Sequence, residues 1–198
     1  MTRVIGDISV SIDGFVTGPD PAPDLGLGRD GEALHAWALV SDHPVDRQVL
    51  ARSTVESGAV VMGRTLFDVI DGPQGWDDQM GYGADQVGRP AFVVVTSDPP
   101  ASVRLGLDFT FVDTPAAAVE RARAAAGDKD VVVMGGARTV RSCLEAGLLD
   151  ELRLHVAPEV MGAGTPLFAD SGRHRLEQRQ VEVSPHAVHV TYAVRPAT

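Results

Sequence analysis

The chain has 198 residues, 44% of them hydrophobic and 22% charged, and a formal net charge of −10. That length and balance suit one packed domain over residues 1–198 and exclude a chain disordered throughout. The negative charge excludes a domain built chiefly to neutralise nucleic-acid phosphates, although a few amides and one or two arginines can still hold a single nucleotide. No window approaches the roughly 18 apolar residues of a membrane helix. The N-terminus lacks a secretory pattern, and the lone Cys143 cannot form an internal disulfide, so the expected compartment is the cytoplasm.

In chain order, residues 3–12 predict a strand, with Ile8, Val10 and Ile12 alternating against Asp7, Ser9 and Ser11. Asp13-Gly14 breaks it, and a long Gly/Pro/Asp-rich loop runs to Gly31; loops of that length are often functional. Residues 31–40 and 44–56 predict helices, the second with Pro44 in its first turn. The apolar run 59–62 predicts a strand buried on both faces, and 65–70 a helix. Residues 72–90 predict a loop or partly helical excursion, 92–95 a strand and 109–112 an edge strand. Thr114 and Pro115 start a helix that Gly127 ends. A buried strand over 131–134, a helix over 137–146 and a strand over 152–156 follow. Two more strands, near 178–184 and 187–195, close the chain. Buried strands alternating with helices imply a mainly parallel α/β sheet, and the helix-free ending implies antiparallel edge strands.

Three short loops follow three apolar strands: Gly63-Arg64-Thr65, Thr96-Ser97 and Gly135-Gly136-Ala137. Ligands of open α/β sheets bind at the carboxyl ends of strands, and a helix N-terminus offers unpaired N–H groups to a diphosphate. Gly135-Gly136 is thus a candidate cradle, or merely a turn; the G-x-G-x-x-G fingerprint is absent. Arg64 is either a bidentate partner for a 2′-phosphate or a surface arginine. Thr96 and Ser97 either add hydroxyls to that phosphate or cap a turn.

Several segments together resemble the dihydrofolate reductase superfamily. Val61-Met62-Gly63-Arg64-Thr65-Leu66-Phe67 resembles its M-G-R-x-T segment, and Val131-Val132-Val133-Met134-Gly135-Gly136-Ala137 its strand-Gly-Gly-helix segment. The run from Leu148 to His155, with Pro158 and Gly162-Ala163-Gly164-Thr165-Pro166-Leu167-Phe168, resembles the later D-E-L…P…G-x-G-x-P-L-F stretch. The opening Ser11-Ile12-Asp13-Gly14-Phe15 is similar to the start of the branch allied to the reductase domain of bacterial riboflavin biosynthesis.

The resemblance implies a three-layer αβα fold with a mixed sheet of about eight strands, NADPH across the strand ends, and a homodimer. It places Gly63, Arg64, Thr65, Thr96 and Ser97 around the adenosine phosphate. Gly135, Gly136, Ala137, Arg138 and Thr139 would hold the diphosphate, with the Gly-Gly peptide commonly cis. Folate-reducing members carry an acidic residue before a tryptophan where this chain has Leu34. The riboflavin-type branch looks instead to an aspartate after the first strand, here Asp13, which is either a proton donor in a cleft or an Asp-Gly turn.

The implied activity is reduction of a small heterocyclic or ribosyl-linked molecule, the nearest named one being 5-amino-6-(5-phosphoribosylamino)uracil reductase. Dihydrofolate or pterin reduction and a non-catalytic nucleotide-binding module are the alternatives. Trp76, in a Gly/Asp loop, is the candidate for stacking on substrate as a lid, and Trp37 reads as core. His186 and His189, three apart on a strand, point to opposite faces, so no metal site is expected. Cys143 reads as core rather than nucleophile. No nucleic-acid or membrane partner is expected.

Overall fold

The computed structural model describes residues 2–77, 79–84 and 89–195. Five parallel strands come first: β1 (Val4–Val10), β2 (Ser57–Gly63), β3 (Ala91–Val95), β4 (Phe109–Val112) and β5 (Asp130–Gly135). β6 (Glu151–Val156) lies parallel to β1, and β8 (Val188–Val194) pairs antiparallel with both β6 and β7 (Leu176–Val183). The eight strands form one mixed sheet in the order β4-β3-β2-β5-β1-β6-β8-β7. This is the mostly parallel sheet with antiparallel C-terminal strands that the sequence implied.

Helices cover both faces. On one, α4 (Pro115–Ala126) and α5 (Ala137–Glu145) bury Ala118, Ala122, Val140 and Cys143 against Val4, Ile8, Val61, Val131 and Val133. On the other, α3 (Arg64–Ile70) packs Phe67 with Phe92 and Val60 beneath β2 and β3. Beside it, α1 (Ala36–Leu39) and α2 (Pro44–Glu56) bring Trp37 and Val49 onto Ala187. Pleated strands send alternate side chains to the two layers, so β2 and β5 need the apolar runs they carry, Ala59-Val60-Val61-Met62 and Val131-Val132-Val133-Met134.

Local chemistry sets the boundaries. The Thr114 hydroxyl accepts from the Ala117 amide at 3.2 Å, Pro115 fills the first helical position, and Gly127 ends α4 at a φ of 62°. The helix expected over 31–40 is two pieces instead, a 3-10 turn over Gly31–His35 and the single turn of α1. β1 also corrects its expectation, because it stops at Val10. Ile12 is 65% exposed, whereas Ser9 and Ser11 are 1% and 2% exposed. A central strand has no solvent face, so its polar alternate residues point into a second buried layer.

Candidate functional site

The site grows from the sheet order. β3, β2 and β5 are adjacent and parallel, with Gly63 opposite Val95 and Met62 opposite Gly135. The turns at 63–65, 96–97 and 135–139 therefore emerge side by side, across about 10 Å for three strands spaced ~4.8 Å apart. β1 lies on the far side of β5, and its Ile8 side chain reaches Gly135.

Close approach explains the glycines. A Cβ on Gly63 would sit 2.4 Å from Thr139 Oγ1, so the first and third turns touch. Gly135 has a φ of +128°, which side chains rarely adopt, and the Gly135-Gly136 peptide is cis. A Cβ on Gly136 would meet nothing within 4 Å, so the backbone before α5 faces open space. Gly136 caps α5 without a side-chain hydrogen bond, and Ala137 and Arg138 open the helix there. First-turn amides have no partner within their own helix, so this backbone fits an anionic group.

Arg64 opens α3 and donates from Nε to Asp68 Oδ1 at 2.7 Å, while Nη1 donates to the Asp98 carbonyl. It thereby ties the first turn to the second. The Thr96 hydroxyl bonds within its own turn, accepting from the Asp98 amide at 3.1 Å. Thr65, Ser97 and Arg138 are exposed, and Ala137 and Thr139 are buried.

Next to these turns, two distant segments fasten together. Val16 donates to the Thr165 carbonyl and Leu167 to the Gly14 carbonyl, each at 2.9 Å. The Thr17 and Thr165 hydroxyls meet at 2.9 Å. Asp13 joins this clasp rather than projecting into a cleft. Its carboxylate accepts from the Ser11 hydroxyl at 2.6 Å, the Met161 amide at 3.0 Å and the Gly162 amide at 2.7 Å. The Ser11 hydroxyl and those amides hold its pKa down at about 2.

Trp76 turns inward, partly buried. Its ring packs on Phe92, with centroids 5.9 Å apart and Gly81 pressed against it, within the apolar layer under β2 and β3. The loop expected over 72–90, which carries Trp76, lies partly outside the described residues. Trp37 is buried as expected, but beside polar groups: its Nε1 donates to Ser9 Oγ at 2.9 Å and its ring lies 4.1 Å from that of His155. Cys143 is fully buried, and burial raises its thiol pKa to about 11, so it is core.

Sequence reasoning missed a buried polar cluster, in which β1, β6, β8 and α2 bring Asp7, His155, His189 and Asp46 together. Its signal was present in the polar alternation of β1 and in the single histidines on two later strands. Only the pairing of β6 with β8 puts those histidines opposite each other.

Comparison with known proteins agrees with this architecture. The family model of the RibD C-terminal domain matches residues 2–190. An uncharacterized protein of Bacillus subtilis (strain 168), YyaP, is 45% identical over 42 residues, a match that covers 21% of this chain and 22% of that relative. A crystal structure of a putative riboflavin biosynthesis protein from Shewanella sp. PV-4 superposes with a TM-score of 0.70 at 19% identity, covering 98% of this chain and all (100%) of that one. A pyrimidine reductase-like protein from Corynebacterium diphtheriae gives 0.67 at 17% identity, covering 99% and 93%. A Thermotoga maritima diaminohydroxyphosphoribosylaminopyrimidine deaminase/5-amino-6-(5-phosphoribosylamino)uracil reductase gives 0.62 at 13% identity, covering 98% of this chain and 57% of that one. At these identities the structural likeness is one of fold. The match over residues 2–190 goes further: the chain belongs to the RibD C-terminal domain family.

Proposed function

We propose that the chain is an NADPH-dependent reductase of a small heterocyclic or ribosyl-linked substrate, nearest in kind to a 5-amino-6-(5-phosphoribosylamino)uracil reductase. The observation that carries this reading is the convergence of 63–65, 96–97 and 135–139 at three adjacent strand ends. The open backbone at Gly136 and the contact between Gly63 and Thr139 fit a phosphorylated dinucleotide. Arg64, with the hydroxyls of Thr65, Thr96 and Ser97, would hold the adenosine phosphate. The amides of Ala137 and Arg138, with Gly63, Gly135, Gly136 and Thr139, would hold the diphosphate. Bound there, the dihydronicotinamide supplies a hydride to a C=N or C=O group.

The chain's own part is to bind, orient and exclude water. Asp13 enters as a positioning residue: a carboxylate held at a pKa of about 2 is ionised at neutral pH and has no proton to give. The substrate's proton then comes from water. Leu34 is fully buried at the position where folate-reducing relatives carry an acid, which disfavours a pterin. Assembly as a homodimer and residence in the cytoplasm complete the proposal; no helix among the described residues is long and apolar enough to cross a membrane.

The test is cofactor binding followed by turnover. The dissociation constants of NADPH and NADH are measured for the wild type and for Arg64→Ala. A loss of roughly ten-fold or more, confined to NADPH, is expected from removing a charge-assisted phosphate contact. Equal losses for both cofactors would remove Arg64 from the 2′-phosphate. Loss of NADPH absorbance is then followed with ribosylaminopyrimidines and pterins; binding without turnover on any of them would leave a nucleotide-binding module.

A further inference from the structure

Below the carboxyl ends of β1 and β6, four ionisable side chains stand in one hydrogen-bonded line. Asp7 Oδ1 lies 2.8 Å from His155 Nε2, His155 Nδ1 lies 2.7 Å from His189 Nδ1, and His189 Nε2 lies 2.8 Å from Asp46 Oδ1. The outer carboxylate oxygens are engaged too. The Ser53 hydroxyl donates to Asp7 Oδ2 at 3.2 Å and the Ser41 hydroxyl to Asp46 Oδ2 at 2.5 Å. The side chains of Asp46, His155 and His189 are at most 4% exposed, and that of Asp7 is 12% exposed.

Counting hydrogens constrains this line. Ionised carboxylates only accept, so both Nε2 atoms must donate. Two neutral imidazoles bring one N–H each, and both are then spent on the carboxylates. Two bare Nδ1 lone pairs would face each other at 2.7 Å with nothing between them. Moving a proton onto either aspartate changes its address but not the total, since three contacts need three hydrogens. Burial pushes Asp7 up, but the charge of His155 and its hydrogen bond, then the charge of Arg153 and the Ser53 hydroxyl, together hold it below the usual carboxylate range. Burial likewise pushes Asp46 up, and hydrogen bonds to Ser41 and His189 hold it down. The third hydrogen therefore belongs to the ring pair.

We infer that Asp7, His155, His189 and Asp46 capture one proton beyond those of two neutral imidazoles, and that this proton clamps the α1–α2 layer onto β1, β6 and β8. His155 donates from both nitrogens, and His189 accepts at Nδ1 while donating from Nε2 to Asp46. Trp37 of α1 lies over the charged ring, a cation–π arrangement, and is pinned by Ser9. Asp46 and Ser53 anchor α2. Two carboxylates around one imidazolium leave a single negative charge in the layer.

The clamp works over a bounded pH range. Burial, and then the neighbouring His155, hold His189 below its ordinary value of 6.5. As pH falls through ~6.5 the unfolded chain takes up a proton there that the folded chain resists, so stability declines on the acid side. The depressed Asp7 and Asp46 extend that decline at lower pH. On the alkaline side, losing the captured proton restores the facing lone pairs and weakens the clamp. The other titratable groups turned toward the line are Arg153 and Tyr82 near Asp7, Glu182 near His189 and His35 near His155. Glu182 is paired with Arg52 at 2.6 Å, Arg153 with Glu56 at 3.3 Å, and burial lowers His35 to about 4, so it adds no charge at neutral pH.

Long-range proton–nitrogen correlation spectra of the 15N-labelled full chain at neutral pH test the count. Both ring nitrogens of His155, and only Nε2 of His189, should carry protons. Amide exchange, corrected for its intrinsic pH dependence, should then accelerate roughly ten-fold or more in α2 as the captured proton leaves, with α4 and α5 on the opposite face unchanged. His189→Gln keeps an N–H for Asp46 but removes Nδ1, and should abolish both the doubly protonated ring and the alkaline step. Two singly protonated rings in the wild type, or alkaline loosening that is equal on both faces or survives in His189→Gln, would overturn the inference. Neither readout involves cofactor or substrate, so either result leaves the proposed reductase activity standing on its own test.

Discussion

At the scale of single residues, the site depends on atoms that lack room or freedom. A methyl at position 63 would press on the Thr139 hydroxyl at 2.4 Å and turn it out of the gap between two turns. Gly63→Ala should weaken NADPH binding about ten-fold, or ~1.4 kcal/mol, with little change in melting temperature; titration calorimetry beside a thermal melt separates the two. Asp13 is tied by three donors, so Asp13→Asn loses part of the clasp between 11–18 and 159–167. KM should rise several-fold while the pH profile of turnover keeps its shape. A fall in turnover with rising pH that vanished in the variant would instead make Asp13 the proton donor. The motif residues at 63–65 and 135–139 were legible because short strand-to-helix turns advertise themselves in glycine. The histidines were not, since His155 and His189 lie on different strands, each isolated in sequence, and acquire a role only by facing each other.

At the scale of elements, local rules succeeded where local energies decide. Thr114, Pro115 and Gly127 bracket α4, and the apolar runs of β2 and β5 fall between two helical layers. They failed where tertiary contacts decide. The alternation of β1 reads as one apolar and one polar face, yet α1 and α2 bury the polar one, and alternation alone cannot distinguish a wet face from a hydrogen-bonded interior. Trp76 departs from its expectation for the same reason. Trp76 sits in a loop that reads as exposed, but Phe92 of β3 and Gly81 enclose its ring. Trp76→Ala should therefore cost about 3 kcal/mol by leaving a void beside β3, lowering the melting temperature by roughly 10 °C. NADPH affinity should stay within about two-fold, because the ring lies on an apolar layer away from the three turns. A large loss of affinity at unchanged stability would return Trp76 to the ligand.

At the scale of the whole molecule, the two ends of the sheet differ in how they are finished. Around β2, β3 and β5 both faces carry helices, and the parallel strand ends gather the candidate cofactor turns there. Toward β7 the layers thin. Glu182 and His189 face α2, through Arg52 and Asp46, so Val181, Val183 and Val188 point to the opposite side. There they are 44%, 61% and 36% exposed, on or beside the edge strand of the sheet. Such an apolar patch on a sheet edge is where the proposed homodimer would form, because two chains of net charge −10 would need an apolar contact to offset their mutual repulsion. A homodimer through this face predicts that Val181→Glu combined with Val183→Glu halves the mass seen by light scattering. Both positions are already exposed, so the fold should persist, with stability changed by about 0.5 kcal/mol or less. A double variant that remained dimeric would move the interface to another surface, and a wild type running at the mass of one chain would remove the dimer altogether.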